Sequence, residues 1–146
     1  PSLLDDLGLI PAITWYGEQR LKPLGINFCF ESEGLMQRLS SAMEVALYRI
    51  AQEAITNIIR HAHASTVKVR LTLRDDNLTL QVKDDGQGFD SQILQSTDMP
   101  VKSLGLWGIH ERVNTLIGNF YVQTAPRKGT TLTIQVPVTK VGMPNG

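Results

Sequence analysis

Cysteine is nearly absent from this chain of 146 residues: Cys29 stands alone, so no internal disulfide can form. A reducing, cytoplasmic setting fits that usage. The flanking Phe28 and Phe30 predict a packed thiol rather than a reactive one. Net charge is missing too. Fourteen basic and fourteen acidic side chains cancel, which leaves no global field to attract nucleic acid or an acidic lipid surface. No apolar run reaches the ~20 residues of a spanning helix, and no signal-peptide pattern opens the chain. Direct membrane contact by this polypeptide is not expected, although a longer parent can be anchored. The chain starts at Pro1-Ser2 without an initiator Met and is expected to be a piece of something longer. It has no Gly-x-x-x-x-Gly-Lys-Ser/Thr loop, and His63 and His110 lack partners at metal-ligand spacing, which argues against zinc. Internal repeats and low-complexity tracts are also absent.

What remains is an ordinary globular composition, 42% apolar and 19% charged, in a length suited to one domain with its own core. From Ser2 to about Lys22, Leu3, Leu4, Leu7, Ile10, Ile13 and Tyr16 recur at roughly helical spacing, interrupted near Gly8-Leu9-Ile10-Pro11. Pro23-Leu24-Gly25 breaks the chain, and Ile26 to Phe30 alternates like a short strand. Ser40 or Ser41 can cap a long helix reaching about Ala62, with Met43, Leu47, Ile50, Ala54 and Ile58 as its buried stripe. Val67 to Leu73, Leu78 to Val82 and Leu132 to Val138 each alternate apolar with polar residues, and Asp75-Asp76-Asn77 is turn chemistry joining the first two as a hairpin. Ile109, Val113, Leu116 and Ile117 mark another helix that Gly118 can end, and Phe120 to Gln123 adds a further strand. One apolar face per strand means a sheet covered on one side. The expected fold is α+β, a two-layer α/β sandwich in which a mixed, mostly antiparallel sheet is covered on one face by three helices. Residues 89–104 are polar and without period, a length of loop that in a compact domain is often a lid, and residues 140–146 form an expected disordered tail.

Asp84-Asp85-Gly86-Gln87-Gly88-Phe89 closes the second clear strand. A strand-end carboxylate at Asp84 can accept from the exocyclic amine of adenine, whereas guanine offers an oxygen there. Gly86 and Gly88 let backbone turn close to a base, although Asp-Asp-Gly alone is also ordinary turn chemistry. Glu53, Asn57 and His61 lie at i, i+4 and i+8 on the long helix and share a face. Asn57 offers a hard oxygen for Mg²⁺ carrying ATP phosphates. Glu53 can orient a water or act as a base, and His61 or Arg60 can meet a phosphate. The plainer account is a solvated face with Arg49 and Glu53 paired, but a poor helix former such as Asn57 among Ile55, Ile58 and Ile59 asks for a reason. Gly105 and Gly108 precede the helix beginning near Ile109, a phosphate cradle by backbone dipole or else a hinge. Thr130, after Gly129, can place a hydroxyl beside the base or serve only as a β-branched strand residue.

Taken in order, Glu53-x-x-x-Asn57-x-x-x-His61, Asp84-x-Gly86-x-Gly88, Gly105-x-x-Gly108 and Gly129-Thr130 resemble the nucleotide-binding boxes of the GHKL ATPase superfamily. That superfamily covers gyrase, heat-shock ninety chaperones, sensor histidine kinases and mismatch-repair ATPases, and its Bergerat sandwich agrees with the layers expected above. Glu53 to Ala62 and Gly105 to Val113 are similar to sensor histidine kinases of the nitrate-sensor-like type. The resemblance implies a catalytic ATP-binding domain over residues 23–139, preceded in residues 1–22 by the end of a dimerisation helix and linker. It implies ATP and Mg²⁺ as cofactors, Glu53 and Asn57 as catalytic residues, and Asn57 as the Mg²⁺ ligand. The nucleotide set it implies is Asn57, His61, Asp84, Gly86, Gly88, Gly105, Leu106, Gly108 and Thr130. Implied partners are the phosphoacceptor-bearing dimerisation helices of a homodimeric parent and a response regulator. No histidine of this chain is nominated as acceptor. The alternatives are another ATPase or an anti-sigma-type serine kinase of the same superfamily, or a nucleotide-sensing module without catalysis.

Overall fold

The structure, a computed structural model, describes residues 2–90 and 105–138. Most of the expected lid, residues 91–104, and the tail from residue 139 lie outside the described residues.

Five strands form one sheet: β1 (Asn27–Glu33), β2 (Thr66–Arg74), β3 (Asn77–Asp84), β4 (Asn119–Thr124) and β5 (Thr130–Pro137). Their order is β1-β2-β3-β5-β4. β1 runs parallel to β2 and every other pair is antiparallel, so the sheet is mixed. The two-residue link Asp75-Asp76 has φ of 52° and 64°, the left-handed pair that matches the twist of a tight hairpin. Short polar Asp side chains tolerate that region, which explains why a sequence without glycine turns there.

The helices are α1 (Ser2–Leu7), α2 (Leu9–Leu21), α3 (Ser41–His61) and α4 (Trp107–Thr115). Gly8, at φ 94°, separates α1 from α2. Ser40 caps α3 by accepting from the Met43 amide at 3.2 Å. The apolar layer between helices and sheet contains Ile13 and Leu21 of α2, Leu47, Ile50 and Ile55 of α3, Ile109 of α4, and Leu71, Leu80 and Ile134 of the strands, all fully buried. Truncating any of these to Ala costs about 2–5 kcal/mol. Glu44 joins this layer as a charged group. Almost fully buried, it receives Nε and NH2 of Arg38 at 2.8 and 2.7 Å, and NH2 also donates to the carbonyls of Leu4 and Asp5. This fork ties the end of α1 to the first turn of α3. Leu4 and Leu9 lie in the same core as α3 and the sheet, so the first twenty residues pack as part of this layer.

Four sequence expectations are corrected. Cys29 is exposed, because strand alternation turns it away from the partly buried Phe28 and Phe30. Met43 is half-buried rather than core, its place taken by Ala51 and Ile55. α4 starts at Trp107, two residues earlier than expected, so Gly108 lies inside its first turn. Ile117 is 83% exposed at φ 56° and belongs to the turn that ends α4. Gly118 sits where a Cβ would run into the Gln135 carbonyl, so close approach is what that position requires.

Candidate functional site

Asp84 ends β3 beside Thr130 of β5, only 5% exposed. Its Oδ1 accepts from the Gly86 amide at 2.8 Å. Burial raises its pKa above the usual carboxylate value, and the backbone amides of Gly86 and Thr130 only partly offset this. The adjacent Asp85 has the opposite task. It accepts from the Ser65 and Thr66 amides at 2.9 Å and from the Ser65 hydroxyl at 2.6 Å. Those bonds, the Ser65 hydroxyl first, hold its pKa below the usual range. Strand alternation separates the two: Asp85 anchors the α3–β2 connection, and Asp84 faces a pocket.

That pocket is lined by Asn57, Ile58, His61, Ala62, Val82, Asp84, Gly88, Phe89, Leu106, Thr130 and Leu132. Its wall is mostly apolar, with few polar atoms, the composition of a base-binding slot. The hydroxyls beside Asp84 form a short chain. Thr124 accepts from the Phe89 amide at 3.0 Å and can donate to the Gly129 carbonyl at 3.1 Å. Thr130 is 2.9 Å from the Thr124 hydroxyl and either can donate; with the Thr124 proton on Gly129, Thr130 donates and keeps its lone pairs as acceptors. Asp84 and Thr130 together favour a ligand edge that donates, as the adenine amine does, and oppose the guanine carbonyl.

The loop after β3 is held by its backbone. Gln87 donates its amide to the Ala62 carbonyl at 2.7 Å and its side chain to the His61 carbonyl at 2.6 Å. A Cβ at Gly86 would overlap the Ala62 carbonyl, and one at Gly88, where φ is 60°, the Ala125 carbonyl. Both glycines are therefore demanded by close approach.

Beyond Asn57 a second, open groove continues, lined by Tyr16, Gln52, Glu53, Thr56, Asn57, Arg60, Gly105 and Gly108. Asn57 is common to both cavities and joins them. Its Oδ1 is buried without a hydrogen-bond partner and lies under Gly105, whose φ is 76° and whose Cβ would collide with it. An orphaned acceptor of this kind costs about 1–3 kcal/mol, and it is a hard oxygen fit for Mg²⁺. Glu53 pairs with Arg112 of α4 at 2.8 Å rather than with Arg49. Gly108 lies against the Glu53 carboxylate with no room for a Cβ.

All the sequence-predicted site residues but Gly86 border one of two cavities that share Asn57. Asp84, Gly88, His61, Leu106 and Thr130 surround the apolar pocket, with Gly86 in the loop beside it. Glu53, Gly105 and Gly108 line the groove, and Asn57 belongs to both. His61 faces the pocket while its neighbour Arg60 faces the groove. Sequence reasoning missed Thr124, Arg112 and Tyr16. Thr124 was legible only through the register of β4 on β5, and the other two only through helix packing.

The sequence profile described as histidine kinase-, DNA gyrase B-, and HSP90-like ATPase matches residues 42–140. The chain belongs to this family. Among curated proteins, it is 40% identical over 136 residues to the signal transduction histidine-protein kinase/phosphatase DegS of Brevibacillus brevis, covering 93% of this chain and 34% of that protein. It is 34% identical over 139 residues to the oxygen sensor histidine kinase NreB of Staphylococcus carnosus, covering 95% and 39%. The chain therefore spans little more than a third of the relatives it matches. Of solved structures, the catalytic domain of histidine kinase ThkA superposes with a TM-score of 0.74 at 16% identity, covering 90% of each chain. The blue-light activated histidine kinase of Erythrobacter litoralis EL346 superposes with a TM-score of 0.71 at 18% identity, covering 89% of this chain and 42% of the other. At those identities the superpositions establish the fold. Among the described residues no helix is long and apolar enough to cross a membrane, and no cluster of three His, Cys, Asp or Glu side chains could hold a metal.

Proposed function

We propose that this chain is the catalytic ATP-binding domain of a two-component sensor histidine kinase. The observation that carries the reading is the pair of cavities that share Asn57: a mostly apolar slot with the Asp84 carboxylate at its edge, beside a groove with Arg60, Glu53, Gly105 and Gly108. Adenine placed against Asp84 and Thr130 sends its phosphates past Asn57 into the groove. Asn57 Oδ1 is the residue atom suited to hold Mg²⁺ brought in with the phosphates. When bound, that ion neutralises phosphate charge and polarises the transferring group.

The protein's own contribution is positioning. The Asp84–Gly86 turn fixes the base, and Arg60 balances phosphate charge. Gly105 and Gly108 let the start of α4 approach the phosphates, where the first amides of a helix favour an anion. Glu53, held by Arg112, has its carboxylate at the groove. The acceptor histidine and the base that receives its proton belong to dimerisation helices of a homodimeric parent, and the phosphoryl group passes onward to a response regulator. Residues 1–22 connect those helices to the nucleotide layers. Cytoplasmic ATP is the donor.

The test mixes this chain with a polypeptide carrying the dimerisation helices and γ-phosphate-labelled ATP. Label is expected on the histidine of that polypeptide and not on His61, His63 or His110. Label on this chain's own histidines, or ATP hydrolysis without transfer, would overturn the reading.

A further inference from the structure

The groove has one wall that the family's sequence profile, which begins at residue 42, does not reach. That wall is Tyr16 of α2. Its hydroxyl accepts from Arg20 NH1, and the Arg20 guanidinium carbon lies 5.4 Å from the centre of the same ring. The Tyr16 ring also meets Tyr48 of α3 edge-on, with centroids 6.1 Å apart. Three contacts therefore fix the ring, and the side chain is not a loose surface phenol. With Arg20 occupying an oxygen lone pair, the phenolic proton must point elsewhere. Its nearest acceptor is the Thr56 hydroxyl at 3.4 Å, too long for a strong O–H···O bond. Among the described residues, this phenol beside a cation borders the groove with only that long contact to Thr56.

We infer that Tyr16 is a phosphate-binding residue: its hydroxyl donates to the terminal phosphoryl group of a nucleoside triphosphate lying in the groove, with Arg20 behind it adding positive charge. The inference rests on the nucleotide reading of the joined cavities and extends the site to α2. Gln52, Glu53, Thr56, Asn57 and Arg60 lie along α3 beneath the groove, and Gly105 and Gly108 close one side. Tyr16 is the one lining residue that comes from α2. A nucleotide too short to reach it leaves the phenol unused, so the residue discriminates by phosphate chain length.

The experiment is calorimetric titration of the chain with a non-hydrolysable ATP analogue in Mg²⁺ and, separately, with adenosine. Tyr16→Phe keeps the ring and its packing on Tyr48 and removes only the hydroxyl. It is expected to weaken the analogue about tenfold, as for one hydrogen bond to a charged group, and to change adenosine less than twofold. Arg20→Gln, which leaves the phenol in place, is expected to produce a smaller loss with the same selectivity. It serves as the readout if the first variant folds poorly. An equal loss for both ligands, or no loss for the analogue, would overturn the inference. A wild-type chain that binds adenosine no more weakly than the analogue would also overturn it while leaving the base pocket intact. Failure to bind either ligand would remove the nucleotide reading itself.

Discussion

Replacing Asp84 with Asn separates binding from folding. The wild-type Oδ1 is committed to the Gly86 amide at 2.8 Å, which leaves Oδ2 for the ligand. In Asp84→Asn either orientation of the amide sets an N–H donor against another donor: turned one way it faces the adenine amine, turned the other it faces Gly86. The lost charge-assisted bond is worth about 1.5–3 kcal/mol, and an unmatched buried donor adds about 1–3 kcal/mol. The sum is about 2.5–6 kcal/mol, so adenine nucleotide affinity should fall at least about seventyfold. Stability should move the other way. Burial holds the Asp84 pKa above its unfolded value, so the native state binds that proton more tightly than the unfolded chain does. The stability this contributes is complete below the ordinary carboxylate range and is lost as pH rises through the raised value. Above the raised value the ionised, desolvated carboxylate is a net cost that Asn does not carry. Urea unfolding at neutral pH should therefore show Asp84→Asn at least as stable as wild type, while calorimetry shows the binding gone. Affinity retained within threefold would refute the assignment of Asp84 to the base. A strongly destabilised variant would refute the claim that its charge serves binding and not folding.

Asp85 predicts the opposite pH behaviour: its pKa is depressed by Ser65 and Thr66, so its contribution is present above the ordinary carboxylate value and is lost as pH falls through the lower one. Asp85→Asn should flatten the acid limb of a stability–pH curve below about pH 4, with nucleotide affinity nearly unchanged at neutral pH. Gly105→Ala forces a Cβ against Asn57 Oδ1 at φ 76°. It should cost about 1–2 kcal/mol in urea unfolding, and in calorimetry weaken the Mg²⁺–ATP analogue more than adenosine. Arg112→Ala releases Glu53, but both side chains are partly exposed; unfolding should change by no more than about 1 kcal/mol, and a larger loss would mean the pair holds α4 in place.

The layers were legible because their signals are local and periodic. Val67, Val69 and Leu71 alternate with charged residues, and Leu47, Ile50, Ala54 and Ile58 recur along one helical face, so each element's buried side follows from its own residues. Asp84, Asn57 and the four glycines were singled out for a related reason: each alone has a plain account, but a strand-end carboxylate, an Asn among isoleucines and paired glycines in that order and spacing form a pattern along the chain. Burial of Cys29 was misjudged because alternation outranks the company of two phenylalanines. The Arg49–Glu53 pairing failed because Arg112, distant in sequence, reaches the same carboxylate with better geometry.

The sequence by itself determined the element types, the one-sided sheet and the ordered boxes that place this chain in its family, since those depend on spacing along the chain. Only the tertiary structure decided that Asp85 is an anchor while Asp84 faces a pocket, that Thr124 of β4 meets the Thr130 hydroxyl beside Asp84, and that Tyr16 borders the groove holding Asn57. Each of those depends on which atoms from separate elements meet within hydrogen-bonding distance. That is fixed by strand register and helix packing, and it leaves no periodic trace along the chain.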